Sequence, residues 1–232
     1  MFRYILSGGS DLQGYLISLL LSLPVVLLAL SVHEAAHGAA AYKLGDPTAR
    51  NYGRLPVNPA KHLNPVGFVC MLLTGFGWAN PVPVNSRNFR NPRRDIALTS
   101  LAGPVSNLAL SVIFLLLLRF VGFGWLATLT YTDELRYNMA YFAVLFLYYG
   151  VRLNLTLAVF NLLPAPPLDG SRILFSLLPP RLYFKIAPYE RQITLAVMIL
   201  LLLGPLSTLI QWITTLMMRG MFALVGMPGF LI

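Results

Sequence analysis

The chain has 232 residues, of which 57% are hydrophobic and 11% charged, with a mean hydropathy of +0.70 and a formal net charge of +9. Such a composition excludes a soluble domain. The basic residues fall in short stretches between apolar runs, with no aromatic platform of their own, so they read as membrane-topology signals and not as a nucleic-acid surface.

Residues 1–14, with Gly8, Gly9 and Gly14, read as a short surface lead. A first span is expected from Tyr15 to Leu44, closed by Gly45-Asp46-Pro47 in the way helices commonly end. The run is too long for a cleavable signal peptide. It also carries His33-Glu34-Ala35-Ala36-His37, which cleavage would remove. Two histidines four apart on a helix share a face one turn apart, so one zinc ion could take a nitrogen from each. The intervening Glu34 is then the base that takes a proton from zinc-activated water. A carboxylate and two histidines inside a lipid-length helix are costly unless satisfied, and a functional site is the default reading. From residue 16 to His33 is seventeen steps, about 26 Å of helix, which puts the site near the far end of the span.

Residues 48–65 are rich in turn formers and carry Arg50, Arg54 and Lys61. Alternation from Asn51 to Val57 predicts a small hairpin, confined to an edge by Pro56 and Pro59. His62 reads as a solvated or interfacial loop residue, not a ligand. The apolar stretch Val66 to Ala79 holds Gly67, Gly75 and Gly77 and is too short to cross, so a re-entrant or broken segment is expected. The lone Cys70 excludes an intrachain disulfide and a cysteine metal site, and reads as a packing residue.

The loop Asn80 to Arg94 bears arginines at 87, 90, 93 and 94 and is the strongest cytoplasmic marker. A second span follows from Ile96 to Phe120, with Gly103-Pro104-Val105-Ser106-Asn107 in its first half. The small residues there suit close helix packing; a functional reading falls on Asn107 alone. Asp133 and Glu134 mark residues 121–136 as non-cytoplasmic. A third span, Tyr137 to Leu163, holds Asn154 and Asn161 nearly on one face, looking into the bundle, and Arg152, for which no acidic partner at its depth is evident. A basic, proline-punctuated loop at 179–191 precedes a last span from Ile193 to Met217, and the tail to Ile232 is expected at the interface.

Between those last two spans lies Pro164-Ala165-Pro166-Pro167-Leu168-Asp169-Gly170. The prolines break the helix, so Asp169 arrives on irregular backbone, tolerated at membrane depth only when buried in protein or facing water. A catalytic zinc wants three protein ligands and an open position. Of the chain's eight acids, only Glu34 and Asp169 do not fall in loops or at span ends. Two neutral histidines, two carboxylates and one divalent ion sum to zero charge. The expectation is therefore an all-α polytopic membrane protein, a bundle of about four full transmembrane helices plus a re-entrant segment and a small β-hairpin, with the active site buried in the membrane.

HEAAH in one helix, GPVSN in a later one and NLLPAPPLDG after that resemble the site-2 protease family of intramembrane zinc metalloproteases, over residues 20 to 175. The resemblance implies one Zn2+ per chain on His33, His37 and Asp169, with Glu34 as base. It also implies that Asn161 and Asn107 hold the substrate backbone or the developing oxyanion. With no PDZ-like insert and no CBS-like domain, residues 1–232 read as a single membrane-embedded metalloprotease domain, with a catalytic core at about 15–175 and a C-terminal helix and tail at 176–232.

The partners expected are a transmembrane protein substrate and the lipid bilayer, with no nucleic acid and no oligomeric state readable. Asn51, Tyr52, Gly53, Arg54 and Leu55 would pair with the unwound substrate as an added strand. The competing classes are an inactive membrane scaffold, which would tolerate loss of Glu34, and a metal-ion transporter, which would string polar residues across the whole membrane. The arginine-rich loops put the N-terminus outside and the site toward the cytoplasmic side, and the resemblance implies a bacterial or archaeal membrane.

Overall fold

A computed structural model describes residues 12–74, 77, 79–122 and 134–227; the expectations for residues 1–11, Asp133 and residues 228–232 lie outside them. The elements are α1 (Leu12–Lys43), α2 (Thr48–Asn51), α3 (Pro59–His62), α4 (Pro65–Thr74), α5 (Pro92–Leu117), α6 (Glu134–Asn161), α7 (Asp169–Leu177), α8 (Pro180–Ile186), α9 (Glu190–Leu203) and α10 (Pro205–Leu224). A 3-10 turn at Ser86–Asn88 precedes α5 and a π turn at Leu118–Gly122 continues it. Among the described residues, four stretches are long and apolar enough to cross a membrane: Leu16–Lys43, Pro92–Val121, Glu134–Asn161 and Pro180–Leu203.

The apolar run in each of these helices is what fits it to lipid, and the ends follow local chemistry. Pro92 takes the first turn of α5, where its missing N–H costs nothing. Helix α1 runs on to Lys43, after which Gly45 adopts a φ of +109° and turns the chain away. The expected last span, Ile193 to Met217, is not one helix. Gly204 at φ +107° caps α9, and Pro205 opens α10 in a new direction. A proline cannot continue the hydrogen-bond ladder, and the glycine supplies the left-handed residue that ends it.

Helices α1, α5 and α6 form the central bundle; α7 packs on α5, and α10 packs on α6. Phe114, Leu115 and Leu118 of the α5 end interlock with Val151 and Leu155 of α6 and with Met218 and Phe222 of α10. A Cβ on Gly150 would stand 2.2 Å from the Phe114 ring, so only glycine lets α6 approach α5 this closely. Arg152, nine residues before the end of α6 at Asn161, is exposed.

The hairpin expected over Asn51 to Val57 does not form. Thr48–Asn51 close a helical turn instead, and Gly53 at φ +62° ends it while Arg54 N–H donates to Ala49 O at 2.9 Å. A glycine-capped helix end has taken residues whose alternation suggested a strand. Among the described residues the pairing is one antiparallel bridge, Leu63 with Ala79. Asn80 reinforces it by donating its N–H to His62 O at 2.7 Å and its amide to Leu63 O at 2.9 Å, so the two ends of the α4 excursion lie side by side. At ten residues, about 15 Å, α4 is too short to cross.

Candidate metal and catalytic site

The last third of α1 presents His33 and His37 on one face. Facing them is Gly103 of α5, where a Cβ would lie 2.5 Å from His37 Nε2 and 2.6 Å from His33 Nε2. The gap this glycine leaves is where the two rings meet. Asp169, the first residue of α7, is brought in by the proline-rich turn that ends α6. Gly170 is required there for a second reason: a Cβ would come within 2.4 Å of the carbonyl oxygens of Leu162 and Leu163. The Asp-Gly pair thus seats α7 directly against the end of α6.

The three groups converge. His33 Nε2 and His37 Nε2 are 3.0 Å apart, and Asp169 Oδ2 is 3.1 Å from the first and 3.2 Å from the second. Each imidazole is held from behind through Nδ1: His33 by Asn107 Oδ1 at 2.6 Å, His37 by the Thr99 carbonyl at 2.7 Å. Both of these partners only accept, so each Nδ1 carries the ring proton and each Nε2 offers its lone pair. Two ring lone pairs and a carboxylate oxygen aimed at one point repel unless a cation lies among them. One metal ion, taking one atom from each residue, satisfies all three. The Nδ1 partners supply the outer support that fixes ring orientation in metal sites.

Glu34 stands beside this group and does not enter it. Its Oε2 accepts from the Val82 N–H at 2.9 Å. Val82 lies in turn against Gly38 of α1, so the backbone at residue 82 holds the carboxylate at the edge of the cleft. That cleft, about 450 Å³, is lined by His33, Glu34, His37, Asn161, Asp169 and Arg172, with Val197 and Met198 of α9 forming the far wall. One buried metal site with an adjacent carboxylate opening on a mostly apolar cleft is suited to activating water against a bound chain.

Asn107 does something other than what its motif suggests. It is fully buried, and its amide nitrogen donates to Ala29 O at 3.2 Å and Asn154 Oδ1 at 3.1 Å, while Asn154 donates to Gly150 O. The α1–α5–α6 bundle is pinned through this chain of amides, and Asn107 faces an imidazole and not the cleft. Asn161 does line the cleft, with its amide nitrogen on Leu157 O at 3.0 Å. None of Asn51 to Leu55 lines it. Arg54 and Lys61 are instead bound to the carbonyls of Lys61 and Gly53, and Leu55 lies against Gly38.

His62 is buried, not solvated: Nε2 is on Pro56 O at 3.1 Å, and the residue stands apart from the metal group. Asp46, read only as part of a helix-ending turn, proves to be a hub. It accepts from the N–H of Thr48 and Asn85, the Asn88 amide at 2.7 Å and the Thr48 hydroxyl, tying the end of α1 to the turn before α5. Burial pushes its carboxyl pKa up, but these donors outweigh burial and hold it below the ordinary value. The only sequence signal for it was a charged residue between Gly45 and Pro47.

The model of peptidase family M50 matches residues 21–205. The Bacillus subtilis protein YwhC, which carries the name of a zinc metalloprotease, is 42% identical over 200 residues, 85% of this chain and 87% of that protein. Rip2 of Mycobacterium tuberculosis strain H37Rv, similarly named, is 32% identical over 192 residues, 80% of this chain and 67% of Rip2. MJ0611 of Methanocaldococcus jannaschii, named in the same way, is 30% identical over 110 residues, 47% of this chain and 49% of its own. No solved structure matches the chain.

Proposed function

The chain belongs to peptidase family M50, the site-2 protease family, and from that premise we propose that it is a zinc endopeptidase cutting peptide bonds within or near transmembrane segments of other membrane proteins. It is an integral membrane protein, and its relatives are bacterial and archaeal. The observation that carries the reading is the convergence of three lone-pair donors with a carboxylate beside them and outside the group: His33, His37 and Asp169 would hold the ion and Glu34 would be free to act as base.

Held by His33, His37 and Asp169, a zinc ion would supply Lewis acidity toward water and a carbonyl oxygen. The residues do the rest. Asn107 and the Thr99 carbonyl keep both imidazoles in the tautomer that can ligate. Glu34, oriented by Val82 N–H, takes the proton from water and returns it to the leaving amine. Asn161 donates an amide hydrogen to the carbonyl oxygen as charge develops there. Residues 1–232 act as one catalytic domain. The α4 excursion, whose ends are tied at Leu63 and Ala79, dips into the bilayer and returns.

The arginine-rich turn at 87–94 lies on the cytoplasmic side, and His33, ten residues or about 15 Å from the helix end at Lys43, lies below that surface. Since an intact helix sheathes its carbonyls, the substrate must unwind for a few residues before attack. The test is hydrolysis by the purified chain of two model transmembrane segments, one uniformly Leu and one with a central Gly-Pro. Faster cutting of the second, abolished by a zinc chelator, is expected. Equal rates would remove the unwinding step, and no chelator-sensitive hydrolysis of either would remove the proposal.

A further inference from the structure

A second, larger cavity of about 840 Å³ adjoins the catalytic cleft and shares Val84, Pro167, Arg172 and Thr194 with it. The two hollows lie side by side across these four residues, one against the metal group and the other reaching the start of α8 at Pro180. The second compartment differs in character. Arg93, Arg172 and Arg191 line it against a single carboxylate, Glu190. None of these arginines has an ion pair among the described residues. Phe175 and Tyr183, packed edge-on at 5.7 Å, add an apolar wall.

Arg93 and Arg191 stand in the first turns of α5 and α9, almost a hundred residues apart. Basic loops that served only to set topology would need no more than to lie on the same side of the membrane. Here they converge on one concavity, joined by Arg172 from the helix that carries Asp169. Three cationic side chains set against one carboxylate leave an excess of positive charge and focus a positive potential into the compartment.

We infer that this compartment receives an acidic juxtamembrane segment of the substrate, a few residues from the bond that is cut. The inference rests on the peptidase reading for the identity of the occupant. A substrate chain that leaves the metal group past Val84, Pro167, Arg172 or Thr194 enters the arginine-lined compartment. Carboxylates spaced along it meet guanidinium groups that pair with them in two-pronged fashion. The segment anchors the substrate and feeds its unwound part toward Glu34, so charge next to the membrane, and not only helix stability within it, selects what is cut.

The test uses the full chain in nanodiscs of zwitterionic lipid. Arg93 and Arg191 are exposed and line the second cavity but not the catalytic cleft, so the doubly substituted Arg93→Glu, Arg191→Glu protein keeps its site. Model substrates share one Gly-Pro transmembrane segment and differ in a five-residue tail of Glu, Ser or Lys. Wild type is expected to show kcat/KM about tenfold higher for the Glu tail than for the Lys tail. The variant should reverse that order and cut the Ser tail at the wild-type rate.

A labelled penta-Glu peptide, followed by fluorescence anisotropy, gives a readout independent of catalysis. It should bind wild type about tenfold more tightly than it binds the variant. That difference without any hydrolysis would leave the groove assignment standing and defeat the peptidase reading. Equal affinity for penta-Glu and penta-Lys, or penta-Glu binding untouched by the charge reversal, would overturn the inference. So would displacement of the peptide by anionic lipid together with equal cutting of Glu and Ser tails, which would make the groove a lipid-headgroup site.

Discussion

Substituting Gly103 by alanine adds one methyl group at the point where the metal-binding atoms meet. Its Cβ would stand 2.5 Å from His37 Nε2 and 2.6 Å from both His33 Nε2 and Cε1, whereas ordinary contact begins at 3.4 Å. Either ring or the α5 backbone must therefore retreat by roughly 1 Å, and misplacement on that scale costs on the order of 100-fold in catalysis. The helix itself does not object. Alanine in a helix interior is favoured over glycine by about 1 kcal/mol, so the loss falls on the site and not on folding.

Gly220→Ala in α10 supplies the matched control, because its Cβ meets nothing within 4 Å. Zinc content by mass spectrometry, hydrolysis of a Gly-Pro transmembrane substrate and thermal unfolding in detergent would be read on both proteins. Gly103→Ala is expected to unfold at close to the wild-type temperature with zinc and activity largely lost, and Gly220→Ala to retain both. Wild-type zinc occupancy and rate in Gly103→Ala would refute the placement of the ion between the two rings.

Asn107→Ala removes the acceptor that fixes the His33 tautomer and should weaken zinc binding by about 10–100-fold, measured by titration against a chelator of known affinity. Asn107→Asp keeps an acceptor on His33 but sets its second oxygen against Ala29 O and Asn154 Oδ1, so it should recover that affinity only in part. Asp46 has its folded pKa lowered, so its contribution to stability is complete above the ordinary value of 3.8 and is lost as pH falls below it. Asp46→Asn should therefore lower the unfolding temperature at pH 6 and flatten the fall toward pH 3. A cysteine at position 90 should be shielded from an impermeant thiol reagent in intact cells and labelled in inverted vesicles.

What could be read from the sequence divides along physical lines. The histidine pair was legible because helical period alone puts His33 and His37 on one face. Asp169 was legible because a charge in so apolar a chain, delivered by a proline run, has few affordable places. Asn107 was not: an amide in a helix looks the same from the sequence whether it faces a cleft or the back of an imidazole, and only the approach of α5 to α1 decides.

The alternation at Asn51 to Val57 misled because Gly53 ends a helical turn there, a tertiary outcome of docking Leu55 and Ala49 against Gly38. The break at Gly204-Pro205 was carried by local chemistry and obscured by an unbroken apolar run on either side. Asp46 acquires its role from Asn85 and Asn88, about forty residues away, and the convergence of Arg93 with Arg191 is equally invisible along the chain.

The central claim is that holding the ion and performing the chemistry fall to different residues, and paired zinc analysis and hydrolysis of Glu34→Gln and His37→Ala test it most directly. Glu34→Gln should retain one zinc per chain and cut no peptide, while His37→Ala should lose both metal and activity. Full zinc in His37→Ala, or undiminished hydrolysis by Glu34→Gln, would contradict it.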